Sequence, residues 1–266
     1  MRYAIGIDFN GRGYRGWQTQ QPGVKSVQET LEKAIAHVAN HPVTVIAAGR
    51  TDAGVHAAGM VAHFDSESVR SERNWLLGVN TRLPEDIALR WISPVSDDFH
   101  ARFRAVARRY RYVIYNHPLR SSLLAGMVTW HYHALDLARM QEAAPHLVGA
   151  HDFSSFRAIG CQARHPNRHV HFLTLTQKGP LIVLDIQADG FLHHMVRNIA
   201  GVLMAIGQGK AEPDWARQVL LARDRTLGGV TASPDGLYFV DALYPEAFPL
   251  PREALGPAFL AGVLPG

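Results

Sequence analysis

Val43-Thr44-Val45-Ile46-Ala47-Ala48 is a β-type run, and it stops at Gly49-Arg50-Thr51-Asp52-Ala53-Gly54-Val55-His56-Ala57. This junction constrains the chain more than any other stretch. A strand must end there and a tight turn must begin, with one acid held between two glycines. Gly49 and Gly54 can adopt backbone angles closed to other residues and let a ligand come near the main chain. Asp52 is then a carboxylate on a tight loop with the Arg50 guanidinium two residues away. The adjacent positive charge favours a negative one there, which suits a nucleophile or a general base. The competing reading is structural, a turn in which Asp52 caps backbone N–H groups.

The elements around this junction follow from periodicity. Tyr3, Ile5, Ile7 and Phe9 alternate as in a strand, and residues 11–23 form a loop rich in Gly, Gln and Arg. Ser26-Val27-Gln28-Glu29 is a capping box that opens a helix with Val27, Leu31, Ala34, Ile35 and Val38 on one face. Strands at 43–48 and 59–65, a helix capped by Ser71, and a strand at 87–92 complete a β-α-β-β-α-β order, the split βαβ or ferredoxin-like succession. The second half repeats the theme with additions. Strands are expected at 107–115 and 127–133, then a helix capped by Asp136 and bent at Pro145, which lacks a donor. A loop over 149–167 leads to strands at 168–177 and 181–187, helices at 190–206 and 213–223, and a closing strand at 237–243.

The expected fold class is therefore α+β. Two halves of similar, ferredoxin-like order suggest a pseudo-twofold pair. The expected bounds are 1–103 for the half carrying the Asp52 loop and 104–244 for the second half with its insertions. Residues 245–266, rich in Pro, Ala and Gly, are expected to be a loosely packed tail.

Composition narrows the partners. Hydrophobic residues make up 47% of the 266 and charged residues 19%, as in a soluble globular chain, and no apolar run approaches a membrane span. The N-terminus enters a strand pattern directly, so no signal peptide is expected. The single cysteine, Cys161, excludes an internal disulfide and a Cys-cluster zinc site. These features together lead to the expectation of a cytoplasmic protein. A net charge of +4 favours a polyanionic partner. Arg102, Arg104, Arg108, Arg109 and Arg111 crowd one segment without an acid among them, and Tyr110 and Tyr112 are interleaved. Arginine with aromatics offers phosphate contacts and stacking surfaces together, which points to RNA; the alternative is a solvated face.

Several segments now resemble one family. Gly49 to Ala57 is similar, residue by residue, to the signature of the tRNA pseudouridine synthase A family. Tyr14-Arg15-Gly16-Trp17-Gln18, Phe99-His100-Ala101-Arg102-Phe103 with Arg108-Arg109-Tyr110-Arg111-Tyr112, and Asp152-Phe153-Ser154-Ser155-Phe156 resemble further family segments. So do Phe191-Leu192-His193-His194-Met195-Val196-Arg197-Asn198, Asp224-Arg225-Thr226 and Gly236-Leu237-Tyr238. The likeness runs over about residues 3–244.

The resemblance implies that the two halves form one mainly antiparallel sheet, with helices on one face and an RNA-binding cleft on the other. It also implies isomerisation of uridine to pseudouridine at positions 38, 39 and 40 of the tRNA anticodon stem-loop, by a homodimer with no metal or organic cofactor. It implies catalytic roles for Asp52 as nucleophile, Arg197 as its basic partner and Tyr110 as the active-site tyrosine. The carboxylate would attack C1′ of the ribose or C6 of the base. Tyr110 would stack on the uracil and serve in removing the C5 proton. Arg50 would fill the space left by the flipped base or hold a flanking phosphate. Arg12, Arg15 and Gln18 in the first loop, Arg108 and Arg109 in the basic run, and Arg164 and Arg168 beside His165 and His169 are further candidates for substrate binding. His131 and His133 share a strand face, but no Cys or HExxH-type pattern accompanies them to suggest a metal. Two other classes compete. A silent RNA-binding module would be expected to have lost Asp52, Tyr110 or Arg197. A glycoside hydrolase acting on nucleosides ordinarily needs two cooperating carboxylates, and the glycine-bracketed loop carries one.

Overall fold

A computed structural model of the chain describes residues 1–262. It divides into two compact units, one of Met1–Val106 with Tyr238–Ala261 and one of Ala107–Leu237. Each is α+β and mostly antiparallel.

In the first unit the expected β-α-β-β-α-β succession appears as β1 (Arg2–Phe9), α1 (Val27–Ala39), β2 (Ile46–Ala47), β3 (His56–Asp65), α2 (Glu72–Asn80) and β4 (Ile87–Val95). β1 lies between β4 and β3, antiparallel to both. Helix α1 starts where the capping box puts it, with Ser26 Oγ accepting from the Glu29 N–H at 3.3 Å. The Glu29 side chain turns instead to Lys33 at 2.5 Å. Ser71 caps α2 in the same way. Tyr3 of β1, Phe64 of β3 and Trp75 of α2 pack ring against ring at 5.4–5.5 Å, which marks the face of the sheet that the helices cover. Successive side chains alternate across a strand, so His63 belongs to the opposite face.

Two expectations for this unit change. The strand at 43–48 shrinks to Ile46–Ala47. The Val45 N–H donates to Glu32 Oε1 at 2.9 Å and its carbonyl accepts from Gln28 Nε2 at 3.2 Å, so α1 side chains take the groups a ladder would need. The end of the chain is packed rather than loose. Closing strand β10 (Leu237–Leu243) pairs in parallel with β3 through Tyr238 and Phe239. Beyond it the Phe248 ring meets Phe99 at 5.5 Å, Glu253 pairs with Arg90 at 3.2 Å, and Leu260 is buried. The compact unit thus runs past the expected bound at 103 and takes back residues 238–261. The last four residues of the expected tail, 263–266, lie outside the described residues.

The second unit has strands in the order β5 (Ala107–Asn116), β9 (Leu181–Ala188), β8 (Asn167–Lys178) and β7 (Gly149–Asp152), all antiparallel neighbours. Short β6 (Thr129–His131) pairs in parallel with β5. Asp136 caps α3 (Leu137–Ala143). Pro145 ends that helix rather than bending it, since Ala144–Leu147 is a tighter 3₁₀ turn. The expected loop over 149–167 holds β7 and a 3₁₀ turn at Ser154–Phe156. Helix α4 (Met195–Gly207) begins five residues later than expected because His194 takes a left-handed φ of 62°. Its inward face is the expected one, with Met195, Ile199, Val202, Leu203 and Ile206 buried. Helix α5 spans Trp215–Ala222.

Candidate active site

Asp52 sits on the loop between β2 and β3, half-buried, and the turn closes with the Val55 N–H donating to the Asp52 carbonyl at 3.1 Å. Gly54 takes a φ of 80°, as the bracketing glycines suggest. The loop does not stand alone. Residues 11–17 clamp it through the Trp17 N–H to the Thr51 carbonyl at 3.0 Å and the Gly54 N–H to the Tyr14 carbonyl at 3.3 Å. Gly11 N–H adds a bond to His56 Nδ1 at 3.1 Å. Gly16 is required where these loops meet. Its φ is 98°, and a Cβ there would lie 2.6 Å from the Thr51 carbonyl oxygen.

The clamp is itself anchored. Tyr14 and Trp17 are buried, and Tyr14 Oη donates to Asp86 Oδ1 at 2.6 Å. Burial, with Asp86 beside it, pushes the Tyr14 phenol well above its ordinary range. Gln18, a candidate for substrate, donates to Gln28 Oε1 at 2.8 Å, and Gln28 passes the bond on to Glu32 at 2.9 Å. Gln18 therefore holds the first loop to α1. Arg12, Arg15 and Arg50 are exposed on the same pair of loops as Asp52.

In the second unit β5 sorts the tyrosines and arginines by alternation. Tyr110 is buried with its ring edge-on to Phe191 at 4.9 Å. Tyr112, on the same face, is sealed in the core. Its hydroxyl meets Thr129 Oγ1 at 2.6 Å and donates to the Ser233 carbonyl at 2.9 Å. Burial drives its phenol pKa upward, against the lowering influence of the Thr129 hydrogen bond and then of Arg197. Arg109 and Arg111 project from the other face onto Asp185 of β9, at 2.7 Å and 2.9 Å. The run without an acid in sequence thus has one in space. Arg109, a candidate for substrate binding, thus also ties β5 to β9. Arg108 donates to the Asp189 carbonyl at 3.1 Å.

Arg197, in the first turn of α4, is half-buried, and its Nε donates to the Ala232 carbonyl at 2.8 Å. Its neighbour Asn198, buried, donates to the Phe156 carbonyl at 2.8 Å and accepts from Arg225 at 3.0 Å and Thr231 at 2.7 Å. Sequence reasoning quoted Asn198 and Arg225 within matched segments but assigned them no task. Here they tie three chain segments around Arg197. Arg164 is exposed, whereas Arg168 folds back onto the carbonyls of His165 and Asn167, at 3.1 and 2.5 Å. Burial lowers the Arg168 pKa from its ordinary value. With His151, His165, His169 and Arg223, Arg168 lines a cleft of about 570 Å³ beside β7 and β8.

The family model of tRNA pseudouridine synthase matches residues 7–104 and 143–245. A protein named tRNA pseudouridine synthase A from Alcanivorax borkumensis is 56% identical over 259 residues, 97% of each chain. Proteins of the same name from Acinetobacter baumannii and Pseudomonas aeruginosa are each 56% identical, over 260 and 262 residues. The alignments cover 98% of this chain in both cases, with 98% of the first relative and 92% of the second.

Proposed function

This chain belongs to the tRNA pseudouridine synthase family and is an isomerase acting on tRNA; from that premise we propose that it converts uridine to pseudouridine at positions 38, 39 and 40 of the anticodon stem-loop, with Asp52 as nucleophile. The reaction breaks the C1′–N1 bond, turns the uracil and rejoins it through C5. The base must first leave its stack, which costs a few kcal/mol and is offset by phosphate and stacking contacts. Asp52 attacks C1′ or C6. Tyr110 stacks on the uracil and takes part in removing the C5 proton, while Arg197 supplies the positive charge that Asp52 needs. Arg12, Arg15, Arg50, Arg108 and Arg164 contact the RNA. The enzyme works as a homodimer in the cytoplasm, without metal or organic cofactor. Among the described residues no helix is long and apolar enough to cross a membrane.

One observation carries the reading. Asp52, inside the nine-residue signature, is half-exposed on a turn that a second glycine loop clamps by backbone bonds at 3.0 and 3.3 Å. A nucleophile whose main chain is held in this way is aimed before substrate arrives, and such positioning is a large part of catalysis. The test is tritium release from tRNA carrying 5-tritiated uridine, since only substitution at C5 frees the label. Wild-type protein should release it, and changing U38, U39 or U40 in turn to cytidine should remove the matching share. Asp52→Asn should bind tRNA and release nothing. Turnover by Asp52→Asn would refute the assigned nucleophile, and binding without release by the wild type would favour a silent RNA-binding module.

A further inference from the structure

Phe103 is a large apolar side chain held out in solvent, 75% exposed. It is nonetheless built into an ordered pile of rings. Its ring lies 4.3 Å from that of His100 at an interplanar angle of 30°, and the His100 ring lies 4.8 Å from that of buried His63. The pile is pinned by backbone. His100 Nδ1 accepts the N–H groups of Arg102 and Phe103, each at 3.2 Å, and His63 Nδ1 accepts the N–H of Ala101 at 3.1 Å. It rises from the face of the first unit's sheet that α2 leaves open, because His63 alternates with Phe64. The Arg102 guanidinium stands 5.7 Å from the Phe103 ring centre, and exposed Arg104 lies over Phe248 at 5.8 Å with its Nε donating to the Asp98 carbonyl at 3.1 Å.

We propose that Phe103 is a stacking platform for an unstacked nucleobase of the tRNA substrate, with Arg102 and Arg104 taking the flanking phosphates. The inference rests on the tRNA reading above and goes beyond it by naming a contact away from the reacting uridine. A ring fixed before binding loses little side-chain entropy when a base lands on it. Every base has a π-face, so such a platform tolerates any sequence. Arg102 beside the ring and Arg104 two residues on suit a polyanion and oppose a cationic partner. His63 follows His56, at the foot of the Asp52 loop, by seven residues of β3, or about 23 Å at a strand's rise per residue. The platform therefore acts on binding rather than on the chemical step.

The test compares Phe103→Ala and Phe103→Trp with wild type in tRNA affinity, in kcat at saturating tRNA by tritium release, and in sedimentation. Phe103→Ala should weaken tRNA binding on the order of tenfold, from the loss of one stacked base, with kcat and melting temperature unchanged. Phe103→Trp should restore affinity. Unchanged affinity of Phe103→Ala would overturn the proposal. A change in sedimentation without a change in affinity would also overturn it, assigning the ring to contact between copies of the chain. Failure of the tRNA reading itself would show separately, as absence of tritium release by the wild type.

Discussion

Asp185 accepts both arms of the Arg109 guanidinium, Nε and Nη2, at 2.7 Å each, across two neighbouring strands. The same carboxylate takes Arg111, whose side chain is only 4% exposed. Asp185→Ala would take from the buried Arg111 charge the carboxylate 2.9 Å away, and breaking a buried pair costs about 3–5 kcal/mol. In a chain this long, each kcal/mol lowers the melting temperature by roughly 2–4 °C. A fall of about 6–20 °C by circular dichroism is the expected outcome, and a fall of under about 2 °C would refute this role for Asp185.

The same pairing separates arginines that brace the fold from those open to RNA. Arg164→Gln should lower the slope of log affinity against log salt by about one, the signature of one lost phosphate contact. Arg109→Gln should leave that slope unchanged and appear in the melting temperature instead. Filter binding across a salt series reads both.

Tyr110 and Tyr112 share a face of β5 and should answer the same substitution differently. Tyr112→Phe removes a hydroxyl bonded to Thr129 and to the Ser233 carbonyl. It should cost about 1–3 kcal/mol of stability and leave kcat near the wild-type value. Tyr110→Phe should lower kcat on the order of a hundredfold, as the proton-moving role proposed for Tyr110 requires. Equal kinetic effects in the two variants would refute the division.

Gly16→Ala places a methyl group 2.6 Å from the Thr51 carbonyl oxygen at a φ of 98°. The Asp52 loop must shift to admit it. A misplacement of about 1 Å costs on the order of a hundredfold in rate. The expected result is a large loss of kcat with tRNA affinity retained within a few-fold. Full activity in this variant would mean that the clamp does not aim Asp52.

His63 makes stability depend on pH. Burial, followed by the charges of His100 and Arg2, lowers its pKa from 6.5 to about 4. The unfolded chain therefore binds this proton more readily than the folded one between those values. The stabilising contribution is complete above about pH 6.5 and is lost as the pH falls towards 4, roughly 2 kcal/mol once solvent screening is counted. His63→Gln, which keeps an acceptor for the Ala101 N–H, should flatten urea-unfolding stability between pH 7 and 4.5 relative to wild type. Parallel pH curves for the two proteins would count against this account.

What could be read from sequence was local. Ser26, Ser71 and Asp136 announce helix starts because a cap and its helix are adjacent in the chain, and β1 and β5 alternate in their own residues. The partners of Val45 could not be read, because Gln28 and Glu32 reach it from a helix thirteen or more residues away. Asp185 lies 76 residues from Arg109, so the basic run looked uncompensated. β7 has no apolar alternation in Gly149-Ala150-His151-Asp152 and is a strand only because β8 pairs with it. At the candidate site the nine-residue signature pointed to Asp52, and two further family-like segments pointed to Tyr110 and Arg197. Gln18 and Asn198, by contrast, acquire their positioning tasks only in three dimensions.

Strand β10 and the residues after it complete a unit that the first hundred residues begin. During synthesis that unit stays open beside β3 until residues 237–243 have been made, so the usual rule that the N-terminal part folds first does not hold here. Chain termination before Leu237 would leave the unit that holds Asp52 without its last strand, although every residue of the Asp52 loop had been made.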